Sequence, residues 1–447
     1  MLTRSPHDVV VVGAGVVGAA CAYYATLAGL SVAVVDRGPV AGGTTGAGEG
    51  NLLVSDKGPG PELDLALLST RLWRELAESG EGLGEAIEYE PKGGLVVASG
   101  EPEADALRAF AAAQRAAGVT ADEIAGDRLH ELEPHLAPGS AGGFHYPQDA
   151  QVQPALAAAR LLRAARLAGA EVRLGETVTA VRTGRDGSVL GVTTDRGRIG
   201  APAVVNAAGT WGGALAELAG VALPVLPRRG FVLVTEPLPR IVRHKVYAAD
   251  YVADVASGSA GLQTSAVVEG TPAGPVLIGA SRERVGFDRT LSVEVLRRLA
   301  SQAAALFPVL AGVTVQRAYR GFRPYLPDHL PAIGADPRLP GLYHACGHEG
   351  AGIGLAPATG LLISRQLVGE RPELDLTPFR ADRFAAVPDS GPGQGAGVGT
   401  GSGPGPEPGH GQEAGPGTAS GRRSGRGPGS DARAGRGSGS GQGEWRD

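Results

Sequence analysis

Residues 8–36 read DVVVVGAGVVGAACAYYATLAGLSVAVVD, which contains a strand, a glycine turn, a helix and a second strand that ends in an acid. The apolar run 9–12 predicts a parallel strand that is covered on both faces. Gly13, Gly15 and Gly18 have the G-x-G-x-x-G spacing, which permits a tight turn, close approach of a pyrophosphate and close packing of the helix on the sheet. This pattern predicts a dinucleotide site in a doubly wound α/β fold.

The remainder of this stretch supports the same prediction. The helix start offers free N–H groups and the positive end of its dipole to a phosphate. Gly29 ends the helix, residues 31–35 form the next strand, and Asp36 follows the glycines by about 20 residues, where a carboxylate accepts hydrogen bonds from a ribose. Two alternatives are a membrane helix over the uncharged residues 9–35 and a first loop that binds nothing. Clustered glycines oppose the first, and the second leaves Asp36 unexplained.

Composition limits the classes of protein to which the chain can belong. It has 447 residues, of which 43% are hydrophobic, so it can form a substantial core. The net charge of −5 and the interspersed acids and bases give no reason to expect nucleic acid as a partner. Cys21 and Cys346 are the only cysteines, which excludes a disulfide framework and fits a reducing cytoplasm. The eight residues through Asp8 are too short for a signal peptide, and no integral membrane segment is expected.

Composition changes near Pro388, after which Gly, Pro and Ser predominate. The large apolar residues beyond it are Val398 and Trp445, so residues 388–447 are predicted to be a disordered tail. Its arginines and acids balance, and an RNA-binding Arg-Gly tract is disfavoured because interleaved aromatic residues are absent.

Strand and helix patterns predict a discontinuous organisation. Residues 154–167 form a helix, 171–174 a strand, and 178–182 with 189–194 a hairpin around Asp186-Gly187. Short strands such as 230–235 and 276–280 indicate a separate, mainly antiparallel sheet. The predicted nucleotide-binding domain comprises 1–85, 150–222 and 320–387, and the predicted substrate domain, an α+β unit, comprises 86–149 and 223–319.

Four motifs in order give the chain a family resemblance. Besides residues 8–36, these are the segment 47–53, VVNAAGTWG at 204–212, GFRPYLPDHLPAIG at 321–334 and GHEGAGIGLAPATG at 347–360. Together they resemble the D-amino-acid oxidase family of FAD-dependent amino-acid and amine oxidoreductases, which includes glycine oxidase, sarcosine oxidase and D-amino-acid dehydrogenase. The resemblance implies a Rossmann-like FAD-binding domain and non-covalently bound FAD.

A longer segment indicates which members of this family the chain resembles most. Residues 43–65, GTTGAGEGNLLVSDKGPGPELDL, are most similar to the FAD β-subunits of heteromeric hydroxyproline, proline and opine dehydrogenases. This implies a small amino-acid or amine substrate, and either oxygen or a partner subunit with an iron–sulfur cluster or a second flavin as electron acceptor.

The motifs and the resemblance together predict the residues that contact FAD. In chain order they are Gly13, Ala14, Gly15, Val16, Val17, Gly18, Asp36, Arg37, Thr44, Thr45, Ala47, Gly48, Gly50, Asn51, Val178, Ala207, Ala208, Gly209, Trp211, Arg323, Gly350, Ala351, Gly352, Ile353, Gly354 and Leu355. Gly350, Gly352 and Gly354 would leave N–H groups unshielded ahead of a helix that begins near Leu355, where they can stabilise negative charge on a reduced flavin.

Arg323 is the predicted anchor for a substrate carboxylate, because relatives carry an arginine in this segment and guanidinium binds a carboxylate at two points. The alternative is a structural ion pair, for instance with Asp328. The resemblance places Gly350 where glycine oxidase has a second arginine. It places Gly321 where monomeric sarcosine oxidases have the cysteine that bonds to flavin, which excludes covalent attachment by that route.

The remaining candidates are two histidines, a cysteine and two tyrosines. His348 is predicted to lie near the flavin and to tune it, whereas a metal face formed by His344, Cys346 and His348 is disfavoured because no fourth ligand is evident. Tyr251, with Tyr247, is a candidate for closing over the substrate. No metal is predicted, and no G-x-S-x-G elbow supports hydrolase chemistry.

The expected activity is oxidation of a C–N bond, in which hydride passes to flavin N5 and leaves an imine that water hydrolyses. Candidate substrates are D-amino acids, compounds like glycine or sarcosine, and compounds like proline or hydroxyproline. The alternatives are an oxygen-using oxidase of the same fold, a non-catalytic FAD-bearing subunit and a nicotinamide dehydrogenase. No general base is evident in the sequence.

Overall fold

Strand 9–12 lies inside a six-stranded sheet in the computed structural model, which describes residues 7–79, 83–255 and 258–384. In spatial order the strands are Ala332–Ala335, Leu342–Cys346, Ala203–Asn206, Val9–Val12, Val32–Asp36 and Glu171–Leu174. All neighbours run parallel except the first pair. Residues 9–35 thus form strand, helix and strand, not one apolar helix. Among the described residues, no helix is both long and apolar enough to cross a bilayer.

The two faces of this sheet explain its apolar strands. Val9 and Val11 face one core with the helices Val16–Leu27 and Gly352–Leu367, whereas Val10 and Val12 face another core. That second core includes a three-stranded antiparallel sheet formed by Val178–Thr183, Val189–Thr194 and Gly197–Gly200. Because both faces are covered, no position of the first strand requires a polar residue.

A second, eight-stranded sheet carries most of the middle of the chain. Its order is Val315–Tyr325, Leu226–Thr235, Val276–Arg282, Gln263–Gly270, Lys245–Ala248, Gly94–Ala98, Gly142–Tyr146 and Asp122–Ala125. It is antiparallel except where Lys245–Ala248 pairs with Gly94–Ala98. The predicted fold class, α/β with a second and mainly antiparallel part, is therefore confirmed, as are the strands within 230–235 and 276–280.

Helices and short elements complete the fold. The helices, in addition to Val16–Leu27 and Gly352–Leu367, are Pro61–Glu78, Leu83–Ala86, Glu101–Ala116, Leu129–Leu132, Pro154–Leu167, Gly212–Leu218, Asp250–Val255 and Val293–Leu306. Asn51–Leu52 and Ala150–Gln151 form a two-stranded antiparallel sheet. The domain limits predicted above stay a prediction, and the predicted tail at 388–447 lies outside the described residues.

The C-terminal glycine segment differs from its predicted form. The helix expected to begin near Leu355 begins at Gly352, after a 3₁₀ turn at Glu349–Ala351. Pro357 lies inside this helix and cannot donate to the carbonyl of Ile353 four residues before it. The buried Trp73 donates its indole N–H to that carbonyl at 3.1 Å. This long-range hydrogen bond satisfies the carbonyl that the proline leaves free. The helix begins three residues earlier than the sequence indicates.

Replacing Gly360 with Ala should destabilise the protein. A Cβ at residue 360 would lie 2.6 Å from the carbonyl carbon of Ala20 in the helix Val16–Leu27, so the two helices must separate. Overpacking of this kind costs about 1–3 kcal/mol. We expect Gly360→Ala to lower the midpoint of thermal unfolding by a few degrees, whereas Arg365→Ala, at a partly exposed position of the same helix, should not. Equal midpoints for the two variants would contradict this packing.

Candidate functional site

A cavity of about 370 Å³ lies at the carboxyl ends of the parallel strands and reaches the second sheet. Its wall includes the first glycine turn, the segment around 43–51, the turn 207–211, part of the strand Val315–Tyr325 and the segment 348–353. Carboxyl ends of parallel strands are where doubly wound folds bind ligands. The four motifs of the sequence thus meet at one cavity.

The first glycine turn is shaped by close backbone contacts. Gly13 has φ +124°, and a Cβ there would lie 2.2 Å from the carbonyl oxygen of Ala207. At Gly18 a Cβ would lie 2.0 Å from the carbonyl oxygen of Gly13. Gly13 and Gly15 line the cavity, whereas Gly18 lies behind the wall, where the helix packs on the turn. The turn therefore presents bare backbone and a helix N-terminus to the cavity, which suits a diphosphate.

Asp36 lines the cavity and also fixes the turn. Its Oδ2 accepts a hydrogen bond from the N–H of Ala14 at 2.7 Å, and its Oδ1 accepts one from the N–H of Gly38 at 2.7 Å. Thr45 accepts a hydrogen bond from the N–H of Val16 at 3.1 Å. Two N–H groups of the turn are therefore already bonded within the protein. A carboxylate has further lone pairs, and the ribose contact of Asp36 stays a prediction.

Two threonines connect the cofactor side of the cavity to the second sheet. The hydroxyls of Thr44 and Thr210 both donate to the carbonyl of Phe322, at 2.6 and 2.7 Å. Phe322 immediately precedes Arg323 in the strand Val315–Tyr325. The segment after the second strand and the turn after Ala203–Asn206 therefore hold the backbone that carries Arg323.

Arg323 lines the cavity without an ionic partner. Its Nη1 donates to the carbonyl of Ser281 at 2.8 Å, and no carboxylate among the described residues lies within ion-pair distance of it. Burial lowers the pKa of its guanidinium, and the nearby Arg282 adds to this effect. The alternative partner Asp328 instead pairs with Arg383 at 2.7 Å. The Arg323 guanidinium is therefore available to an anion in the cavity.

Space for the Arg323 side chain comes from two glycines. A Cβ at Gly230 would lie 2.2 Å from Nη1 of Arg323 and 2.5 Å from the carbonyl oxygen of Ser281. A Cβ at Gly350 would lie 3.4 Å from Nε of Arg323. The side chain therefore lies between two backbone surfaces, and Gly230 is a part of this arrangement that the sequence analysis missed.

Other arginines near the site have different surroundings. Arg228 pairs with Glu349 at 2.5 Å, and Arg229 pairs with Glu283 at 2.8 Å. Arg282 lies over the ring of Tyr251, 5.0 Å from its centroid. Arg228 and Arg229 are ion-paired, and Arg282 is not part of the cavity wall, so the structure favours Arg323 among these arginines as an anion-binding group.

The candidate histidines and tyrosines separate in the structure. His348 lines the cavity, and its Nε2 forms a hydrogen bond with Oγ1 of Thr359 at 2.9 Å. Burial lowers the pKa of its imidazole to about 3. His344 contacts Asp336 instead, at 2.9 Å. Tyr251 lines the cavity, whereas Tyr247 is fully buried and bonds to Ser55. His348 is therefore neutral at physiological pH.

The metal face that the sequence disfavours is not found among the described residues. The strand Leu342–Cys346 ends before His348, and Cys346 is buried, which raises its thiol pKa to about 12. Across residues 7–79, 83–255 and 258–384 no three His, Cys, Asp or Glu side chains are grouped in a way that can hold a metal ion.

Most of the predicted cofactor residues lie on the cavity wall. These are Gly13, Gly15, Val16, Val17, Asp36, Arg37, Thr44, Thr45, Ala47, Gly48, Asn51, Val178, Ala207, Ala208, Gly209, Trp211, Arg323, Gly350, Gly352 and Ile353. Ala14, Gly18, Gly50, Ala351, Gly354 and Leu355 are not part of the wall. At Gly50, for example, a Cβ would lie 1.8 Å from the carbonyl oxygen of Val152, so that glycine permits packing behind the cavity.

Glu49 is a cavity residue that the sequence analysis missed. It lines the wall, its side chain is 5% exposed, and burial raises its pKa. A single acid between Gly48 and Gly50, in a segment of small residues, was the available signal.

Comparison with known proteins agrees with these features. The family model for DAO, FAD dependent oxidoreductase, matches residues 8–366. Hydrogen cyanide synthase subunit HcnC of Pseudomonas aeruginosa is 30% identical over 423 residues, which cover 86% of this chain and 97% of that protein. Sarcosine dehydrogenase of Homo sapiens is 29% identical over 387 residues, which cover 85% of this chain and 42% of that protein.

Glycine oxidase of Geobacillus kaustophilus is similar in sequence and in structure. Its sequence is 32% identical over 382 residues, which cover 84% of this chain and 97% of that protein. Its crystal structure superposes with a TM-score of 0.76 and 30% identity, over 85% of this chain and 99% of that one. The resemblance inferred from the four motifs is confirmed: the chain belongs to the DAO family of FAD-dependent oxidoreductases, and it is an enzyme with FAD as its cofactor.

Proposed function

We propose that this enzyme oxidises the C–N bond of a small amino acid that carries a free carboxylate. The observation that carries this proposal is Arg323, a half-buried guanidinium on the cavity wall with no carboxylate of the described residues within ion-pair distance. A charge that is partly removed from water and has no ion-pair partner is costly, so a ligand that supplies the opposite charge gains a strong contact there. The names of the similar proteins place glycine and sarcosine among the compounds to test.

The cavity residues fit FAD. The turn at Gly13 and Gly15, with the helix start behind it, suits the diphosphate, and Asp36 lies at the edge where the ribose is expected. The 3₁₀ turn Glu349–Ala351 and the start of the helix Gly352–Leu367 suit the isoalloxazine. FAD, when bound, would supply the hydride acceptor, which is the difficult part of the reaction.

Side chains and backbone groups of the protein would bind and orient the substrate and stabilise charge on the cofactor. Arg323 holds the substrate carboxylate at two points and so fixes the α-carbon relative to the cofactor. The first N–H groups of the helix Gly352–Leu367 lack intrahelical acceptors and can stabilise negative charge without reorganisation. His348 is neutral and adds no positive charge there. The resemblance places Gly350 where glycine oxidase has a second arginine. This chain therefore binds the carboxylate through the guanidinium of Arg323 without that second arginine.

The electron acceptor is a separate part of the proposal. The similarity to HcnC, which its name describes as a subunit, supports a partner protein as acceptor, and oxygen is the alternative. The substrate and the acceptor can be tested together. The purified holoenzyme is mixed without oxygen with glycine, sarcosine, L-proline and D- and L-amino acids, and loss of flavin absorbance is recorded. Air is then admitted, and slow return of the absorbance would support a partner protein. Absence of reduction by every compound would contradict the proposed activity.

Arg323→Lys should impair this reaction. Lysine keeps the charge but loses the planar fork, so the carboxylate binds weakly and the substrate is misaligned. Loss of a buried charge-assisted contact costs roughly 2–4 kcal/mol, or about 30- to 1000-fold in kcat/KM. The control is the corresponding amine without the carboxylate, on which the variant should equal the parent. Equal kcat/KM on the carboxylated substrate would exclude the anchoring role.

Gly230→Ala should act through Arg323. The new Cβ would collide with Nη1 of Arg323, so the guanidinium must leave its place between Gly230 and Gly350. We expect flavin reduction by the amino acid to fall at least about tenfold while FAD stays bound. In the double variant with Arg323→Lys the two losses should not add, since both remove one contact. Fully additive losses would show that Gly230 acts elsewhere.

FAD should dissociate from the acid-denatured protein. Gly321 has no thiol, and both Cys21 and Cys346 are buried with pKa values raised to about 12, so neither offers a thiolate at neutral pH. After trichloroacetic acid precipitation the yellow colour should remain in the supernatant. Colour in the pellet would demonstrate a covalent link.

A further inference from the structure

Glu49 is a buried carboxyl group on the wall of the cavity that the proposed reaction has not yet used. Its side chain is 5% exposed, and its Oε1 has no hydrogen-bond partner among the described residues. Within the described part of the chain, the one hydrogen bond to its Oε2 is a long one, 3.4 Å, from the side-chain amide of Asn51. Buried carboxylate oxygens are normally hydrogen-bonded, so this oxygen calls for an explanation.

The nearby Lys245 does not donate a hydrogen bond to Oε1 of Glu49. Lys245 donates to Glu269 at 2.8 Å, whereas its distance to Oε1 of Glu49 is 3.7 Å. Glu269 also receives the N–H of Gly50 at 3.3 Å. Two carboxylates thus share one lysine, and the one that does not line the cavity has the better hydrogen bonds. If these three residues served only to stabilise the fold, the ion pair between Glu269 and Lys245 would be enough, and Glu49 would not be needed.

The surroundings of Glu49 set its charge. The charged and titratable groups that face it are Lys245, Glu269, Arg323, Tyr251 and Tyr319. Burial and Glu269 raise the pKa of its carboxyl group, and Lys245 and Arg323 oppose them. Glu49 and Arg323 line the same cavity, so one ligand can meet a carboxyl group and a guanidinium. A zwitterionic amino acid has the complementary pair of charges.

Resting on the proposed oxidation of an amino acid, we propose that Glu49 receives the amino group of the substrate while Arg323 holds its carboxylate. An ammonium N–H bond of the bound substrate breaks, its proton forms an O–H bond with the carboxylate of Glu49, and the electron pair stays on nitrogen. That pair forms the C=N bond as hydride leaves the α-carbon for bound FAD, which gains two electrons. Glu49 is thus both the amine-binding group and the proton acceptor.

A pair of unreactive ligands tests the binding part. α-Aminoisobutyrate has no α-hydrogen and cannot be oxidised by this route, and pivalate has the same shape with a methyl group in place of the ammonium. Binding of each to the holoenzyme is measured from the change in the flavin absorption spectrum. The parent should prefer α-aminoisobutyrate by about 10- to 100-fold, as for a hydrogen bond between charged groups. In Glu49→Gln this preference should fall to within about threefold, while pivalate binds as before.

Two variants separate this effect from general disturbance. Glu269→Gln alters the same ion-pair network but not the cavity wall, and it should retain the preference. Arg323→Lys should weaken both ligands alike. If Glu49→Gln retains the full preference, the assignment of Glu49 is wrong. An equal loss in Glu269→Gln would also overturn it. If neither ligand binds to the parent, the amino-acid site itself is refuted, and this inference with it.

The pH dependence tests the proton transfer. In the parent the rate of anaerobic flavin reduction should rise with pH as Glu49 loses its proton, since only the carboxylate accepts one. In Glu49→Gln that rise should be absent, and the remaining dependence should follow the ammonium of the substrate. If the pH profile of flavin reduction is unchanged in Glu49→Gln, Glu49 does not accept the proton, and that part of the proposal is wrong.

Discussion

Contact between bare backbones at the end of the strand Val9–Val12 is the constraint on which the rest of the site depends. Gly13 touches Ala207 from the neighbouring parallel strand, and Gly18 touches Gly13 from the following helix. A single methyl group at either glycine would occupy space filled by a carbonyl oxygen. This contact fixes the helix start at the sheet edge, so the position of the proposed diphosphate site follows from the absence of two side chains.

The second sheet is tied to this edge through one carbonyl group. Thr44 and Thr210 belong to segments that follow two different parallel strands, and both donate to Phe322. Since Arg323 is the next residue, its position relative to the cofactor loops depends on these two hydrogen bonds. The proposed carboxylate anchor and the loops expected to hold the cofactor thus share one short length of backbone, and an error in its position would misalign both. Alignment of reacting atoms is what such positioning contributes to catalysis.

The sequence predicted well what depends on local pattern. The strand, glycine turn, helix and strand of residues 8–36 follow from periodicity and spacing, and so does the antiparallel character of the second sheet. What it missed depends on partners distant along the chain. The carbonyl of Ile353, which Pro357 leaves free in the helix Gly352–Leu367, accepts its hydrogen bond from Trp73, 280 residues away. Arg323 and Asp328 are close in sequence, yet Asp328 pairs with Arg383.

The pairing of charges separates Arg323 and Glu49 from the other charged side chains near the cavity. Folding pairs Arg228 and Arg229 with acids, as expected where a charge leaves water. Arg323 and Glu49 lie in the same region and are left with incomplete partners. Packing cannot account for them, because an apolar side chain of similar size would fill the wall at a lower cost. A ligand with one negative and one positive group would pair with both side chains. The favourable interactions that Arg323 and Glu49 do not make within the folded protein would then bind and orient that ligand.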